Sequence, residues 1–190
     1  MIITIARQCG CGAVHVGEIL SNELGIKLYT RQNLMELARE KKMLEEMHYF
    51  FEEDPVDDLM DAITTFTEEH EEIRRRFNLS FNKIIGNENC IIIGRCGNHI
   101  FKQHKDLYSF FLHGDKQMRI QNIATEKKIS SSEAEDFVTE TDDRRIAYHR
   151  YYTGLTWGNA ADYDMCLDTC KLGSTKTAQM IKEYINTLNK

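Results

Sequence analysis

The residues best suited to chemistry in this chain form a short glycine-containing loop near its N-terminus. A β-branched run at residues 2–5 precedes the loop, and a helical pattern follows it. Glycines allow the backbone conformations of a tight turn and let N–H groups approach an anion closely. The positive end of the following helix dipole also favours negative charge. We therefore predict a phosphate-binding segment made of Arg7, Gln8, Cys9, Gly10, Cys11, Gly12, Ala13 and Val14.

The loop matches only half of the P-loop pattern G-x-x-x-x-G-K-[ST]. Gly12 occupies the second glycine position, but Arg7 replaces the first glycine. Ala13 replaces the lysine and Val14 replaces the Ser/Thr that binds magnesium. On this motif alone, an ordinary strand–helix turn is about as well supported as a nucleotide site. Arg7 has two open roles, donation to a phosphate in place of the lysine or pairing with a carboxylate that braces the loop.

The elements that must position this loop alternate between strands and helices. Residue patterns predict strands at 2–5, 26–29, 90–93, 107–112 and 165–167, and helices at 14–24, 116–128, 130–152 and 174–188. Residues 31–86 have a helical pattern that is broken near Pro55. Ser130 and Glu133 have the spacing of a capping box. This order predicts an α/β fold with a mostly parallel sheet and helices on both faces, which binds ligands at the carboxyl ends of its strands.

Size and composition favour a single soluble domain. The chain has 190 residues, 42% of them hydrophobic, one proline and no linker-like segment. The net charge of −6 argues against broad contact with nucleic acid, which needs a basic face. We find neither a signal peptide nor an apolar stretch long enough to span a bilayer, so we expect a cytoplasmic protein without a membrane partner. The six cysteines are expected to be free thiols. Cys9, Cys11 and His15 lack a common zinc spacing, so no metal ligands are predicted.

Four segments of the chain resemble the cytidylate kinase-like family, a branch of the P-loop nucleoside monophosphate kinases. The first is Ile3-Thr4-Ile5-Ala6-Arg7-Gln8 with Gly10 and Gly12, and the second is Ile91-Ile92-Ile93-Gly94-Arg95-Cys96. The third is Tyr151-Tyr152-Thr153-Gly154 with Trp157-Gly158. The fourth is Tyr163-Asp164-Met165-Cys166-Leu167-Asp168-Thr169, followed by Leu172-Gly173. The segments occur in the family's order and extend over nearly the whole chain.

The resemblance implies a P-loop NTPase-like sheet of about five parallel strands, flanked by helices, within a single domain over residues 1–190. It implies a helical monophosphate-binding insertion at roughly residues 31–86 and a lid at roughly 130–160. It also implies ATP and Mg²⁺ as cofactors and a small-molecule nucleotide such as CMP as the phosphoryl acceptor. A homodimer through the exposed insertion is a further option that the sequence leaves open.

Arginines are the expected catalytic residues, because phosphoryl transfer depends on positioning and on neutralising phosphate charge. By resemblance, Arg95 at the end of the third strand would hold the acceptor phosphate. Arg119 would face the phosphates from the next helix, and Arg145 would do so from the lid. A solvated helix arginine is an equally open role for Arg119 and for Arg145. Asp142, Asp143 and Asp168 could each accept from a nucleotide hydroxyl or a magnesium-bound water. For Asp142 and Asp143 we expect solvation or helix capping instead.

Two other functions stay open on sequence grounds. Relative to the family pattern, Cys11 replaces a serine, Ala13 a glycine, and Val14 a residue that is often basic. These departures favour, as an alternative, a catalytically weak or inactive nucleotide-binding regulator. A weaker alternative is a thiol-based redox or metal protein that uses Cys9, Cys11 and Cys96. The tyrosines around Trp157 are expected to pack in the core or lid, with base stacking as the lesser role.

Overall fold

The structure is a computed structural model that describes residues 1–47, 51, 68–86 and 88–188. Its five strands form one parallel sheet in the order β2-β3-β1-β4-β5. The bounds are β1 Ile2–Arg7, β2 Lys27–Tyr29, β3 Cys90–Ile93, β4 Leu107–His113 and β5 Met165–Asp168. The predicted sheet is therefore confirmed, with strand ends shifted by only one or two residues.

Seven α-helices surround the sheet within the described residues. They are α1 Ala13–Leu24, α2 Arg31–Glu40, α3 Glu68–Ile85, α4 Gly97–Ile100, α5 Lys116–Lys127, α6 Ser131–Thr153 and α7 Thr169–Leu188. A 3₁₀ turn at Ala160–Asp162 precedes β5. Among these helices, none combines the length and the apolar character needed to cross a membrane.

The register of the central strands decides where the functional residues meet. Ile5 in β1 pairs with Ile93 in β3, and both strands run in the same direction. The loop after β1 and the Gly94-Arg95 segment after β3 therefore leave the sheet side by side. This is the edge at which open parallel sheets bind ligands.

Apolar side chains on the two faces of the sheet form separate cores. On one face, α1 and α7 pack on the strands through fully buried residues that include Val16, Leu20 and Ile181. The other face is covered by α2, α3 and α6, with Leu34 and Phe81 completely buried. Helices therefore lie on both faces, as the alternation of elements predicts.

The helical pattern predicted for residues 31–86 is present at both ends of that range. Helix α2 follows β2, and α3 leads into β3. The predicted break near Pro55 lies outside the described residues.

Two helix boundaries show how local chemistry sets the elements. The capping box is confirmed: the Ser130 hydroxyl accepts from the N–H of Glu133 at 3.3 Å, and the Glu133 carboxylate accepts from the N–H of Ser130 at 2.9 Å. The last helix, in contrast, was predicted to begin near Ser174 and instead begins at Thr169. Gly173, with φ 73° and ψ 163°, interrupts it and separates a short first turn from the predicted segment.

Candidate active site

The loop between β1 and α1 turns at two glycines. Gly10 and Gly12 have φ values of 80° and 62°, in a region that other residues rarely adopt. A β-carbon at Gly10 would lie 2.5 Å from the carbonyl oxygen of Arg119, so no larger residue fits there. Within the described residues, the backbone N–H groups of residues 10–13 have no hydrogen-bond acceptor. These N–H groups at the start of α1 are available to an anion.

Two side chains that are largely shielded from solvent hold the middle of the loop. Asp142 accepts from the N–H of Cys9 at 2.7 Å and from Nη1 of Arg119 at 2.7 Å. Arg119 also donates from Nη1 to the carbonyl oxygen of Cys9 at 3.1 Å and from Nε to that of Gly114 at 3.0 Å. The side chains of Arg119 and Asp142 are only 7% and 14% exposed. This ion pair therefore occupies both hydrogen-bonding groups of Cys9.

The structure assigns these two residues surroundings that the sequence did not predict. Arg119 lies behind the loop rather than among the residues that line the cavity. The expectation that Asp142 is solvated or caps a helix is wrong, because it lies inside α6 and points at α5 and the loop. Asp143 is exposed, as expected. Asp168, at the end of β5, forms an ion pair at 3.2 Å with Lys171, whose side chain is exposed to solvent.

The turn after β3 is unusual in its backbone. Gly94, Arg95 and Cys96 have φ values of 76°, 58° and 54°, so three successive residues are left-handed. Such residues cost of order 1–3 kcal/mol each when they are not glycine, and they cluster at functional sites. The guanidinium carbon of Arg95 lies 5.1 Å from the ring centroid of Tyr148 in α6. A cation–π contact therefore links the carboxyl end of β3 to α6.

The loop, the turn after β3 and α6 enclose a cavity of about 570 Å³. All of the predicted phosphate-binding residues line it, as do Arg95 and Arg145. Its described lining holds five basic side chains, Arg7, Arg95, Lys127, Arg144 and Arg145, against two carboxylates, Glu18 and Glu126. A local excess of positive charge in a chain of net charge −6 favours an anionic ligand.

One face of α6 supplies the predicted Arg145 and four further cavity residues that sequence reasoning did not assign to the site. Thr141, Arg144, Arg145, Tyr148 and His149 all line the cavity. Their spacing of i, i+3, i+4, i+7 and i+8 is that of one helix face, so the signal was present in the sequence. Arg145 also donates from Nη1 to the carbonyl oxygen of Arg7 at 3.3 Å. Arg150 is exposed and lies outside this face.

The aromatic residues near the end of α6 belong to two groups. Trp157 packs edge-on against Phe111 at a centroid distance of 5.3 Å and also lines the cavity. Tyr163 contacts the same Phe111 ring at 5.2 Å. Tyr151 and Tyr152 instead pack on each other at 4.9 Å. Packing in the core is therefore their observed role, and Trp157 additionally faces the site.

His149 is a neutral group in the cavity wall. It is 3% exposed, and its Nε2 has no hydrogen-bond partner in the part of the chain that the structure describes. Burial, with the nearby His99, lowers the pKa of His149 to about 4. The imidazole is therefore uncharged at neutral pH and adds nothing to the positive charge of the cavity.

The cysteines give no support to thiol chemistry. All six are free, as predicted, and Cys9, Cys11, Cys90 and Cys96 are buried. Burial raises the pKa of Cys11 and of Cys96 to about 12, so these thiols are protonated and unreactive at neutral pH. Among the described residues, no group of three or more histidine, cysteine or carboxylate side chains is placed to hold a metal ion.

Comparison with known proteins places this geometry in context. The model of the cytidylate kinase-like family matches residues 2–171. A cytidylate kinase from Sulfurisphaera tokodaii is 22% identical over 187 residues, which cover 98% of this chain and 96% of that protein.

Solved structures show the same fold. An uncharacterized protein from Eubacterium ventriosum has a TM-score of 0.74 and 24% identity, with 98% of each chain covered. Shikimate kinase from Bacteroides thetaiotaomicron has a TM-score of 0.56 and 12% identity, again with 98% of each chain covered. The chain therefore shares its fold with these proteins.

Proposed function

The chain belongs to the cytidylate kinase-like family, and we propose that it is a nucleotide kinase that transfers a phosphoryl group from ATP to a nucleoside monophosphate such as CMP. The observation that carries the proposal is the charge of the cavity. Five basic side chains and a loop with available N–H groups surround one space of about 570 Å³, which suits two phosphorylated ligands.

The loop is the proposed binding site for the ATP phosphates. Residues 10–13 offer successive backbone N–H groups at the positive end of α1, an arrangement that favours phosphate oxygens. No lysine follows Gly12, so the charge must come from elsewhere. Arg7 and Arg145 both line this end of the cavity, and Arg145 is hydrogen-bonded to the Arg7 carbonyl. Their guanidinium groups are the proposed replacement for the lysine.

Arg95 is the proposed ligand of the acceptor phosphate. It leaves the carboxyl end of β3 next to the loop, and its contact with Tyr148 limits the directions in which its guanidinium can point. A planar guanidinium donates two parallel hydrogen bonds to one phosphate group. Because Arg95 and the loop line the same cavity, an acceptor phosphate held by Arg95 would face the ATP phosphates held by the loop.

The reaction needs positioning and charge neutralisation rather than a general base. The second pKa of a phosphate monoester is about 6, so the acceptor oxygen is already ionised at neutral pH. The attacking oxygen forms a bond to the γ-phosphorus of ATP, and the bond from that phosphorus to the β–γ bridging oxygen breaks. ADP leaves with the electron pair. The arginines stabilise the charge on the equatorial and leaving oxygens.

The described residues fit the phosphates of ATP but not a protein-held magnesium ion. The described lining of the cavity offers only two carboxylates to a metal ion, Glu18 and Glu126. The hydroxyl group that usually binds magnesium is also missing, because Val14 replaces the Ser/Thr. In this proposal, Mg²⁺ would enter with the nucleotide, held by phosphate oxygens and water, and would neutralise phosphate charge. Residues 31–86 are proposed as the monophosphate-binding insertion and residues 130–160 as the lid.

A nucleotide-binding regulator without turnover is the second candidate. Ala13 is 4% exposed and Val14 is 44% exposed at the two positions that usually carry the lysine and the hydroxyl. Neither side chain can donate to a transferring phosphoryl group. This candidate predicts ATP binding without chemistry, whereas the kinase predicts both.

The test is ADP release in a coupled assay with ATP, Mg²⁺ and a panel of nucleosides and nucleoside monophosphates, alongside calorimetric ATP binding. Turnover with one class of monophosphate supports the kinase. Binding without turnover for any acceptor supports the regulator. The absence of any nucleotide binding would overturn both candidates.

A further inference from the structure

We propose that Asp142 is a positioning residue that, together with Arg119, fixes the Cys9 peptide groups so that the N–H groups of residues 10–13 face the phosphates of ATP. This inference rests on the proposed function. It names a residue outside the cavity lining whose role is to set the geometry of the donor site.

The first argument is that both backbone polar groups of Cys9 are held by side chains. The N–H of Cys9 donates to Asp142 at 2.7 Å, and the carbonyl of Cys9 accepts from Arg119 at 3.1 Å. Both groups belong to the residue that directly precedes Gly10. Gly10 and Gly12 carry no side-chain constraint on their dihedral angles, so the loop depends on contacts with its surroundings for rigidity. Asn122 and Thr169 each hold one carbonyl further along the loop, at 2.9 Å and 3.1 Å, whereas Cys9 is held at both its N–H and its carbonyl. Fixing the Cys9 peptide groups on both sides limits the motion of the residues that follow, and preorganised N–H groups bind an anion with a smaller ordering cost.

The second argument is that the same carboxylate reaches a cavity arginine. Oδ1 of Asp142 lies 3.8 Å from Nη1 of Arg145, one turn later in α6. That Nη1 also donates to the carbonyl of Arg7 at 3.3 Å. Asp142 therefore aligns the loop and Arg145 relative to each other. Asp142 thus helps to position Arg145, one of the two arginines proposed to replace the P-loop lysine, next to the backbone of the other, Arg7.

The third argument concerns charge. The Asp142 carboxylate is 14% exposed and the Arg119 side chain 7% exposed. Removing one partner of such a pair leaves a buried charge without compensation, which is strongly unfavourable. Without the carboxylate, we expect Arg119 to shift toward solvent, at the expense of its contacts with Cys9 and Gly114. A change at Asp142 should therefore weaken the binding of the donor phosphates more than the binding of the acceptor.

The experiment compares three variants with the wild-type protein. Asp142→Ala removes the acceptor of the Cys9 N–H and the charge, and Asp142→Asn removes the charge but keeps an oxygen for that N–H. Asp143→Ala is the matched control, because it deletes the same charge from the neighbouring exposed residue. ATP affinity is measured by calorimetry, KM for each substrate and kcat by the coupled assay, and folding by thermal melting.

We expect Asp142→Ala to weaken ATP binding by about tenfold or more, the equivalent of one hydrogen bond to a charged group. KM for the acceptor should stay within about twofold of wild type, a split that simple loss of stability would not produce. The ATP affinity of Asp142→Asn should lie between those of Asp142→Ala and the wild type. Asp143→Ala should bind ATP with wild-type affinity. Folded Asp142→Ala or Asp142→Asn protein that binds ATP with wild-type affinity would overturn the inference.

A second measurement keeps the inference testable if Asp142→Ala does not fold or if no nucleotide binds. In the ligand-free wild-type protein, the Cys9 amide should be strongly protected from hydrogen exchange, and its NMR resonance should shift in Asp142→Asn. Rapid exchange of that amide would refute the fixed peptide directly. Protection without any ATP binding to the wild type would instead leave the contact intact and refute the proposed function.

Discussion

The guanidinium group of Arg7 lies directly against the backbone of Gly94, so that a β-carbon at position 94 would collide with its Nη1. Arg7 ends β1, and Gly94 follows β3, which pairs with β1. Their contact brings a cation to the point where the two loops that line the cavity leave the sheet. Arg7 also lines the cavity, which is the location that the proposed phosphate contact requires.

Replacing Gly94 with alanine should disturb both the backbone and Arg7. The φ of 76° at Gly94 is strained for alanine, which costs of order 1–2 kcal/mol of stability. The added methyl group also displaces the Arg7 guanidinium from its place in the cavity. We expect lower stability in urea unfolding and, in addition, ATP binding weakened by about tenfold.

Gly25→Ala separates these two effects. Gly25 has a similar φ of 65°, caps α1 and would place its β-carbon in open space, with nothing within 4 Å. It should show the loss of stability without the loss of ATP affinity. If Gly25→Ala and Gly94→Ala bind ATP equally well, displacement of Arg7 is not important for binding.

Arg95→Lys tests the proposed acceptor site. Lysine keeps the positive charge but lacks the planar fork that holds a phosphate with two hydrogen bonds. We expect kcat/KM for the acceptor to fall by about tenfold to a hundredfold, the effect of about 1–3 kcal/mol, while ATP affinity changes little. Initial rates at varied acceptor and varied ATP concentrations measure the two effects separately.

Arg150→Lys is the control for Arg95→Lys. Arg150 is exposed on α6 and does not line the cavity, so the same change there should leave both kinetic parameters at wild-type values. A loss of ATP affinity in Arg95→Lys with an unchanged acceptor KM would show that Arg95 binds the phosphates of ATP rather than the acceptor phosphate.

The fold was predictable because each strand and helix carries its own local signal. The apolar run Cys90-Ile91-Ile92-Ile93 gave β3, and the spacing of Ser130 and Glu133 gave the start of α6. Alternation of the two periodicities then led to a parallel sheet. The boundary of α7 was missed because Thr169 and Cys170 form a helical turn that Gly173 separates from the amphipathic segment.

The site was predictable only where it follows the chain. Residues 7–14 and Arg95 adjoin strand ends, and strand ends in a parallel sheet meet at one edge. The Arg119–Asp142 pair joins residues 23 positions apart on two helices, and no periodicity within either helix specifies the partner. The left-handed conformations of Arg95 and Cys96 are likewise imposed by the surrounding structure, because neither residue type favours them.

His149 should make the protein sensitive to acid. The unfolded chain takes up a proton at this histidine near pH 6.5, whereas the folded protein does so only near pH 4, because the ring is buried close to His99. Between these values protons bind preferentially to the unfolded state, so stability is full above about pH 6.5 and falls as the pH decreases. The expected loss of stability between pH 7 and pH 5 is about 2 kcal/mol.

Urea unfolding of His149→Gln at a series of pH values tests this expectation. The free energy of unfolding of His149→Gln should lack this part of the pH dependence, whereas that of His104→Gln, a change outside the cavity, should keep it. An equal decline in His149→Gln and wild type would show that His149 is not the group responsible.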